Sequence, residues 1–460
     1  MGKLRRGWRA AALAAAVSLL LPACWYEVSG GSGNKRFDPL ESQLTAGNAT
    51  ALAVDWRVPV AGSVTEPVVS GNLLFVARSE FDQSTDLLGT FAITAYDRTT
   101  GAVAWERSLL PGGEEVGGGA SPLSFIDGAL WVRYWHDRMP SCTGRLLRLD
   151  PATGAVLSDD QTSGDTGPVL HGGSVVAYED GCGDGRLVVK DVKTRTTLWT
   201  SAPLPAGYAI GDPTIAGGHV VMEAGFVRDD GRSLLGYALG GCGAAVCAPD
   251  WSVDDPAGRA TFDRPVAGPG GLVYTTANQL GTGGPVWRVE ARSAATGALR
   301  WRSAGRYSPN LPEGAPGIAV TNDTLYVTGT LDDRAVPFDE AGTFDAYPAA
   351  GCGAADCAPA WSVGLGLAVF VNGAPIAAGG VVWIGTVSDG ASVAPAVLGI
   401  DAAGCGAPVC TPLERLPLAE SNGGAFATRS GPYQMALDGG QLFVASFPGS
   451  EGSELLALSA

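Results

Sequence analysis

Apolar and polar residues alternate along most of the chain in short runs, and the runs come in pairs joined by tight turns. Pro67-Val-Val-Ser-Gly-Asn-Leu-Leu-Phe-Val76, Pro168-Val-Leu-His-Gly-Gly-Ser-Val-Val176, Pro213-Thr-Ile-Ala-Gly-Gly-His-Val-Val221 and Pro375-Ile-Ala-Ala-Gly-Gly-Val-Val-Trp383 share this form. Turn residues between β-branched runs predict hairpins. Further copies begin near Ser121, Pro265, Pro316 and Met435, which makes eight hairpins in all. After each hairpin but the last comes a second turn and strand with a tryptophan at a fixed place. It reads Asp97-Arg-Thr-Thr-Gly101-Ala-Val-Ala-Trp105, Asp191-Val-Lys-Thr-Arg195-Thr-Thr-Leu-Trp199 and Ser293-Ala-Ala-Thr-Gly297-Ala-Leu-Arg-Trp301. Asp150-Pro-Ala-Thr-Gly154-Ala-Val-Leu157 places Leu157 at the tryptophan mark, and three cysteine-bearing variants end at Trp251, Trp361 and Leu413. A repeat of about 50 residues predicts a propeller or a solenoid.

Eight hairpins stand against seven such marks, and the missing mark is at the front. Val54-Asp55-Trp56-Arg57-Val58 matches Val103-Ala104-Trp105-Glu106-Arg107, whereas the final hairpin, near Gln441 to Leu458, has no strand after it. The N-terminal strand is therefore expected to complete the last blade and close the ring, which removes open sheet edges. The predicted fold is all-β: an eight-bladed β-propeller of four-stranded antiparallel blades over residues 51–460.

The Thr-Gly-x-x-x-Trp turn, repeated over eight blades, resembles the quinoprotein, or PQQ-type, β-propeller superfamily. The resemblance implies a fold and leaves two functions open. That superfamily contains quinone-dependent dehydrogenases and also non-catalytic envelope lipoproteins of the BamB kind. A dehydrogenase of this type implies a bound quinone, a calcium or lanthanide on oxygen ligands, a catalytic carboxylate and, in many members, a disulfide between adjacent cysteines. No Cys-Cys dipeptide occurs in this chain.

Residues 1–23 read as a secretory signal: basic Lys3, Arg5, Arg6 and Arg9, an apolar run from Ala10 to Leu21, then Leu21-Pro-Ala-Cys24. The run is short of the roughly 20 residues that span a bilayer. Its ending resembles the bacterial lipoprotein box, which implies acylation of Cys24 and a lipidated flexible tether over residues 24–50, with Val28-Ser-Gly-Gly-Ser-Gly-Asn34 as its loosest part. The expected location is extracytoplasmic, on the cell membrane or on an outer membrane where there is one. Charge fits that address better than a nucleic-acid partner. There are 30 Lys and Arg against 46 Asp and Glu, a net charge of −16, and −20 once the four basic residues of the signal are gone. Phosphate backbones require the opposite sign.

Besides Cys24 there are eight cysteines, an even number suited to an oxidising compartment. Gly-Cys242-Gly-Ala-Ala-Val-Cys247, Gly-Cys352-Gly-Ala-Ala-Asp-Cys357 and Gly-Cys405-Gly-Ala-Pro-Val-Cys410 predict three local disulfides, and Cys142 with Cys182 is left as a bond between blades. Zinc is the competing reading, but each motif supplies two ligands with no histidine near.

Candidate chemistry is sparse. Of the three histidines, His136, His171 and His219, His171 falls at a hairpin turn and His219 just past one, and no Gly-x-Ser-x-Gly nucleophile turn is present. No catalytic, cofactor-binding or metal residues are assigned. The recurring tryptophans are expected to pack between blades; Phe81 and Trp135 are the few loop aromatics that a glycan binder would use. The remaining signal is acidic. Asp82, Asp86, Glu114, Glu115, Asp229, Asp230, Asp332 and Asp333 fall in long loops that a propeller gathers on one face, a field suited to a basic envelope protein partner. The expectation is a monomeric, lipid-anchored propeller without cofactor, acting as a protein-binding or assembly scaffold. A PQQ-dependent dehydrogenase and a glycan-binding propeller are the alternatives.

Overall fold

In the computed structural model the described residues are 32–460 without segments 83–86, 110–116, 121–122, 139–140, 163–168, 172–173, 180–184, 205–208, 226–231, 255–259, 282–283, 308–316, 333–339, 368, 372–373, 389–393, 419–430 and 448–452. They form an eight-bladed β-propeller. Blade 1 is typical. Its innermost strand is in two pieces, Ser63–Val64 and Val68–Ser70, and is followed by Leu73–Asp82, Leu87–Asp97 and the outermost Val103–Ser108, all antiparallel. Blades 2 to 7 cover residues 117–162, 169–201, 209–253, 260–307, 318–367 and 369–417. Blade 8 is built from both ends of the chain. Gly431–Asp438, Gln441–Phe447 and Ser453–Ser459 are completed by Ala53–Val60, with Trp56 opposite Ala457 and Val60 opposite Ser453. The N-terminal strand closes the ring as its lone tryptophan mark predicts.

The hydrophobic core is divided among the seams between blades. One cluster joins Trp56, Val76, Trp383, Phe443 and Leu456 across blades 7, 8 and 1, and others follow round the ring. Five seams are fastened by a tryptophan from an outermost strand, whose indole N–H donates to a carbonyl in the next blade's outer turn. Trp56 reaches Arg98 O at 2.8 Å, Trp105 reaches Pro151 O at 2.8 Å, Trp199 reaches Leu239 O at 2.9 Å, Trp251 reaches Ala294 O at 2.8 Å and Trp301 reaches Ala349 O at 3.3 Å. The ring face lies against a glycine of that turn. At Gly351 φ is +89°, and a Cβ there would sit 2.5 Å from Trp301. Left-handed backbone and ring contact both demand glycine at this position. Trp361 lies in the same way beneath Gly404. Asp97 and Asp191 brace two of these turns; hydrogen bonds from Thr100 and Thr194 hold their carboxyls below the usual carboxylate range.

Two marks shift by one residue. Pairing aligns Ser158 with the tryptophan slot in blade 2, opposite Arg148, and Glu414 in blade 7, opposite Gly399, so Leu157 and Leu413 are displaced. The outer strand of blade 2 carries a bulge after its first residue, as blade 1 does between Val103 and Trp105, and Leu157 is the extra residue, 52% exposed. Both empty slots have a reason. The turn that would receive a ring from Ser158 carries Arg195, in left-handed backbone at φ +60°, where other turns have glycine. An ion pair from Arg195 to Asp160 at 3.4 Å crosses that seam instead. In blade 8 no direct turn joins the third strand to the outermost one to receive a ring from Glu414, because Ser453–Ser459 and Ala53–Val60 are far apart in sequence.

Candidate functional site

The innermost strands border the central axis with one edge unpaired within their own blades, so their N–H groups there need partners. At the tight-turn end of the channel the chain supplies them itself. Residues 32–38, expected to belong to a loose tether, run across the inner strands of four successive blades. Ile215 N donates to Ser32 O at 2.8 Å, Ala267 N to Gly33 O at 2.7 Å, Val320 N to Lys35 O at 2.9 Å and Ala377 N to Arg36 O at 2.9 Å. Phe37–Asp38 then pairs in parallel with the inner strand Ile376–Ala378. The Asn34 amide donates to Thr214 Oγ1 at 2.9 Å, fixing blade 4.

This strap is locked by charge. The Arg36 guanidinium meets the Glu66 carboxylate of blade 1, and both are buried at 5% and 3% exposure. Such a pair is tolerable in the interior only when matched, since removal of one partner strands the other's charge. Beyond it, Gly440 N of blade 8 donates to Glu41 Oε2 at 2.9 Å, Leu44 is fully buried, and Ala46 N donates to Gly379 O at 3.3 Å. The flexible reading of residues 24–50 thus fails from Ser32 onward: the carbonyls of this segment find a row of waiting donors, which composition alone does not reveal.

Disulfides join Cys242 to Cys247, Cys352 to Cys357 and Cys405 to Cys410. Their hairpins do more than replace a turn. Each lies as a short parallel strand along the outermost strand of the preceding blade: Val246–Cys247 on blade 3, Asp356–Cys357 on blade 5 and Val409–Cys410 on blade 6. Arg302 strengthens the second contact, and its 2.6 Å bond to Asp356 holds that carboxyl below the usual range.

The other expected residues are brought together to a smaller extent. Cys24, Cys182, Asp86, Glu114, Glu115, Asp229, Asp230 and Asp333 lie outside the described residues. Cys142, Asp82 and Asp332 are placed by backbone only: Cys142 in Ser141–Leu149 opposite Asp137, Asp82 and Asp332 at the far ends of second strands, away from the strap. Phe81, Trp135, His136 and His171 are likewise placed on strands by backbone. His219 follows its hairpin turn with Nδ1 3.2 Å from Gly217 O and Nε2 3.7 Å from Asp250. Among the described residues no three His, Cys, Asp or Glu side chains gather as a metal site. At the strapped mouth the main-chain donors are taken by strap carbonyls, and the Arg36 guanidinium meets Glu66.

Residues 143–280 match the family model described as outer membrane protein assembly factor BamB. No curated protein matches the chain. Among solved structures the chain is similar to the quinohemoprotein alcohol dehydrogenase of Comamonas testosteroni, with 13% identity and a TM-score of 0.55 over 97% of this chain and 82% of that one. A europium-containing methanol dehydrogenase is similar at 12% identity and a TM-score of 0.57, over 95% of this chain and 98% of that one. The fold is that of the PQQ-type β-propellers.

Proposed function

We propose that this protein is a membrane-tethered extracytoplasmic propeller that binds envelope proteins as an assembly scaffold. The observation that carries the reading is the strap: the channel mouth, where an enzyme would want open donors, is filled by the chain's own backbone and a neutralised Arg36–Glu66 pair. The match of residues 143–280 to the assembly-factor family supports the same direction. So does the Cys24 box, whose implied acyl chains would make a stable anchor.

The strap also gives the tether a direction. Ser32 lies at the tight-turn end of the axis, beside the strand end at Ile215. The eight residues from Cys24 to Gly31 reach at most about 28 Å when fully extended. An anchor at Cys24 would turn the tight-turn face toward the membrane and leave the far ends of the second strands, where Asp82 and Asp332 stand, pointing away from it.

Two measurements test the reading. Cys24→Ser should leave the membrane fraction and appear as soluble protein; retention in the membrane contradicts the anchor. Titration of the purified chain with PQQ and calcium should give no saturable binding, whereas binding accompanied by alcohol-dependent dye reduction would replace the scaffold with a dehydrogenase.

A further inference from the structure

We infer that the tight-turn face of the ring rests on a net-neutral lipid surface, with an exposed rim of valines and leucines pressed into the headgroup layer. This rests on the anchored reading above and adds the contact that an anchor makes possible. Turns of both kinds open on this face. Arg98 N of an outer turn donates to Asn72 O of the inner turn at 3.1 Å in blade 1, Leu239 N to Gly218 O at 2.9 Å in blade 4 and Ala294 N to Gly271 O at 2.9 Å in blade 5. The outermost strands begin at the same end. Within their first two residues stand Val54, Val103, Leu157, Leu198 and Leu299, on blades 8, 1, 2, 3 and 5, each at least 40% exposed.

Two of the cysteine hairpins extend the rim, with Val246 52% and Val409 69% exposed. They are presented rigidly. Each is closed by its disulfide and fastened to the preceding blade, Thr200 N donating to Ala245 O and Ser362 N to Pro408 O, both at 2.9 Å. The third hairpin is tied in the same way, Arg302 N and Ala304 N donating to Ala355 O and Cys357 O at 2.9 and 3.3 Å. Between these points the exposed turn tips carry methyls and hydroxyls, as at Thr99, Ala152, Thr194 and Thr296. Carboxyls of the outer turns bend back on their own backbone: Asp97 accepts from Thr100 N and Asp150 from Thr153 N, both at 2.9 Å. Scattered singly over a surface, exposed valines and leucines need no partner. These seven share one end of the molecule, and it is the end to which the chain is tied.

The length of chain before the strap selects the occupant. Ser32 is held on this face by Ile215, so residues 24–31 leave from it, and Cys24 stands no more than about 28 Å away. Trp25 and Tyr26 come directly after Cys24, and both residue types favour the headgroup layer. A tether this short gives the face an effective concentration at the surface on the order of millimolar, so that a shallow apolar contact is enough to hold it. Charge then chooses the lipid. A chain of net charge −16 is repelled by anionic headgroups, which leaves zwitterionic ones.

The test holds the full mature chain, with an N-terminal hexahistidine in place of the acyl chains, on phosphatidylcholine vesicles that contain a nickel-chelating lipid and a phosphatidylcholine bearing a diazirine. Attachment then does not depend on acylation of Cys24, so the face and the anchor fail separately. After illumination, lipid adducts should map to the peptides carrying Leu198, Val246 and Val409, and not to the far ends of Leu73–Asp82 and Thr324–Asp332. The triple variant Leu198→Ser, Val246→Ser, Val409→Ser should stay on the vesicles and lose at least about tenfold of the adducts at Val103 and Leu299, since half-buried aliphatic side chains no longer hold the face down. Replacing part of the phosphatidylcholine by phosphatidylglycerol should lower labelling of the parent chain at low salt, and added salt should restore it; this arm decides the matter should the variant not fold. Adducts spread evenly over both ends, labelling unchanged in the triple variant, or labelling raised by phosphatidylglycerol overturns the inference. Protein–protein crosslinks at Val246 and Val409 in place of lipid adducts also overturn it, since the occupant is then a second copy. Even labelling of both ends in a chain whose Cys24 is acylated in cells strikes the face alone, and the expected map in a chain whose Cys24 is not acylated strikes the anchor alone.

Discussion

At the scale of single residues, the ring is held by paired choices. A tryptophan on one blade and a glycine on the next form one unit, and where the tryptophan becomes Ser158 the glycine becomes Arg195. Ser158 Oγ is left buried without a hydrogen-bond partner among the described atoms, a mark of a slot built for something larger. Ser158→Trp alone should destabilise, because the ring meets the Arg195 side chain. Combined with Arg195→Gly it should regain the dock and raise stability by about 1–2 kcal/mol over the single variants, a coupling read by a double-mutant cycle of denaturant melts. The lost Arg195–Asp160 pair, nearly half exposed on both sides, subtracts little. Additivity of the two substitutions would refute the pairing. The tryptophan rule was legible in the sequence because indoles recur at a fixed step. Its two exceptions were read one residue early, at Leu157 and Leu413, since an apolar residue in a strand looks like a core residue until the bulge shows that it faces solvent.

At the scale of elements, hairpins and outermost strands follow directly from alternation and turn residues. The strap and the edge covers do not. Ser32-Gly-Asn-Lys-Arg36 has the composition of a linker, and its order comes from donors on blades 4 to 7 that are far away in sequence. The cysteine hairpins announced their disulfides by spacing, yet their pairing with the preceding blade arises only when the ring assembles. That second role predicts a local effect. Replacing Cys352 and Cys357 by Ser should cost at most about 2 kcal/mol, since the closed loop is short. The loss should appear as faster amide exchange at Arg302 and Ala304 of blade 5, with little change in blades 1 and 2. Global unfolding, or exchange confined to blade 6, would show that the hairpin does not guard its neighbour.

At the scale of the whole molecule, closure makes eight small sheets into one body. Deleting Ala53–Val60 exposes the edge of Ser453–Ser459 and removes Trp56 from the cluster that joins blades 7, 8 and 1. The melting temperature should fall by at least about 10 °C. A truncated chain melting cooperatively at the parent temperature would mean that the ring is closed by other contacts. The division of labour between the faces follows from the same closure. The strap commits the tight-turn face to the N-terminal side, while Asp82 and Asp332 stand at the far ends of second strands, at the other end. Whether this body is a scaffold is tested most directly by chemical crosslinking in intact cells, followed by purification of the full chain and quantification of what comes with it. The scaffold predicts a small set of envelope proteins, enriched in near-equal amount to the chain, lost when Cys24 is replaced by Ser. An intact, membrane-bound chain that enriches no protein over that variant would contradict it.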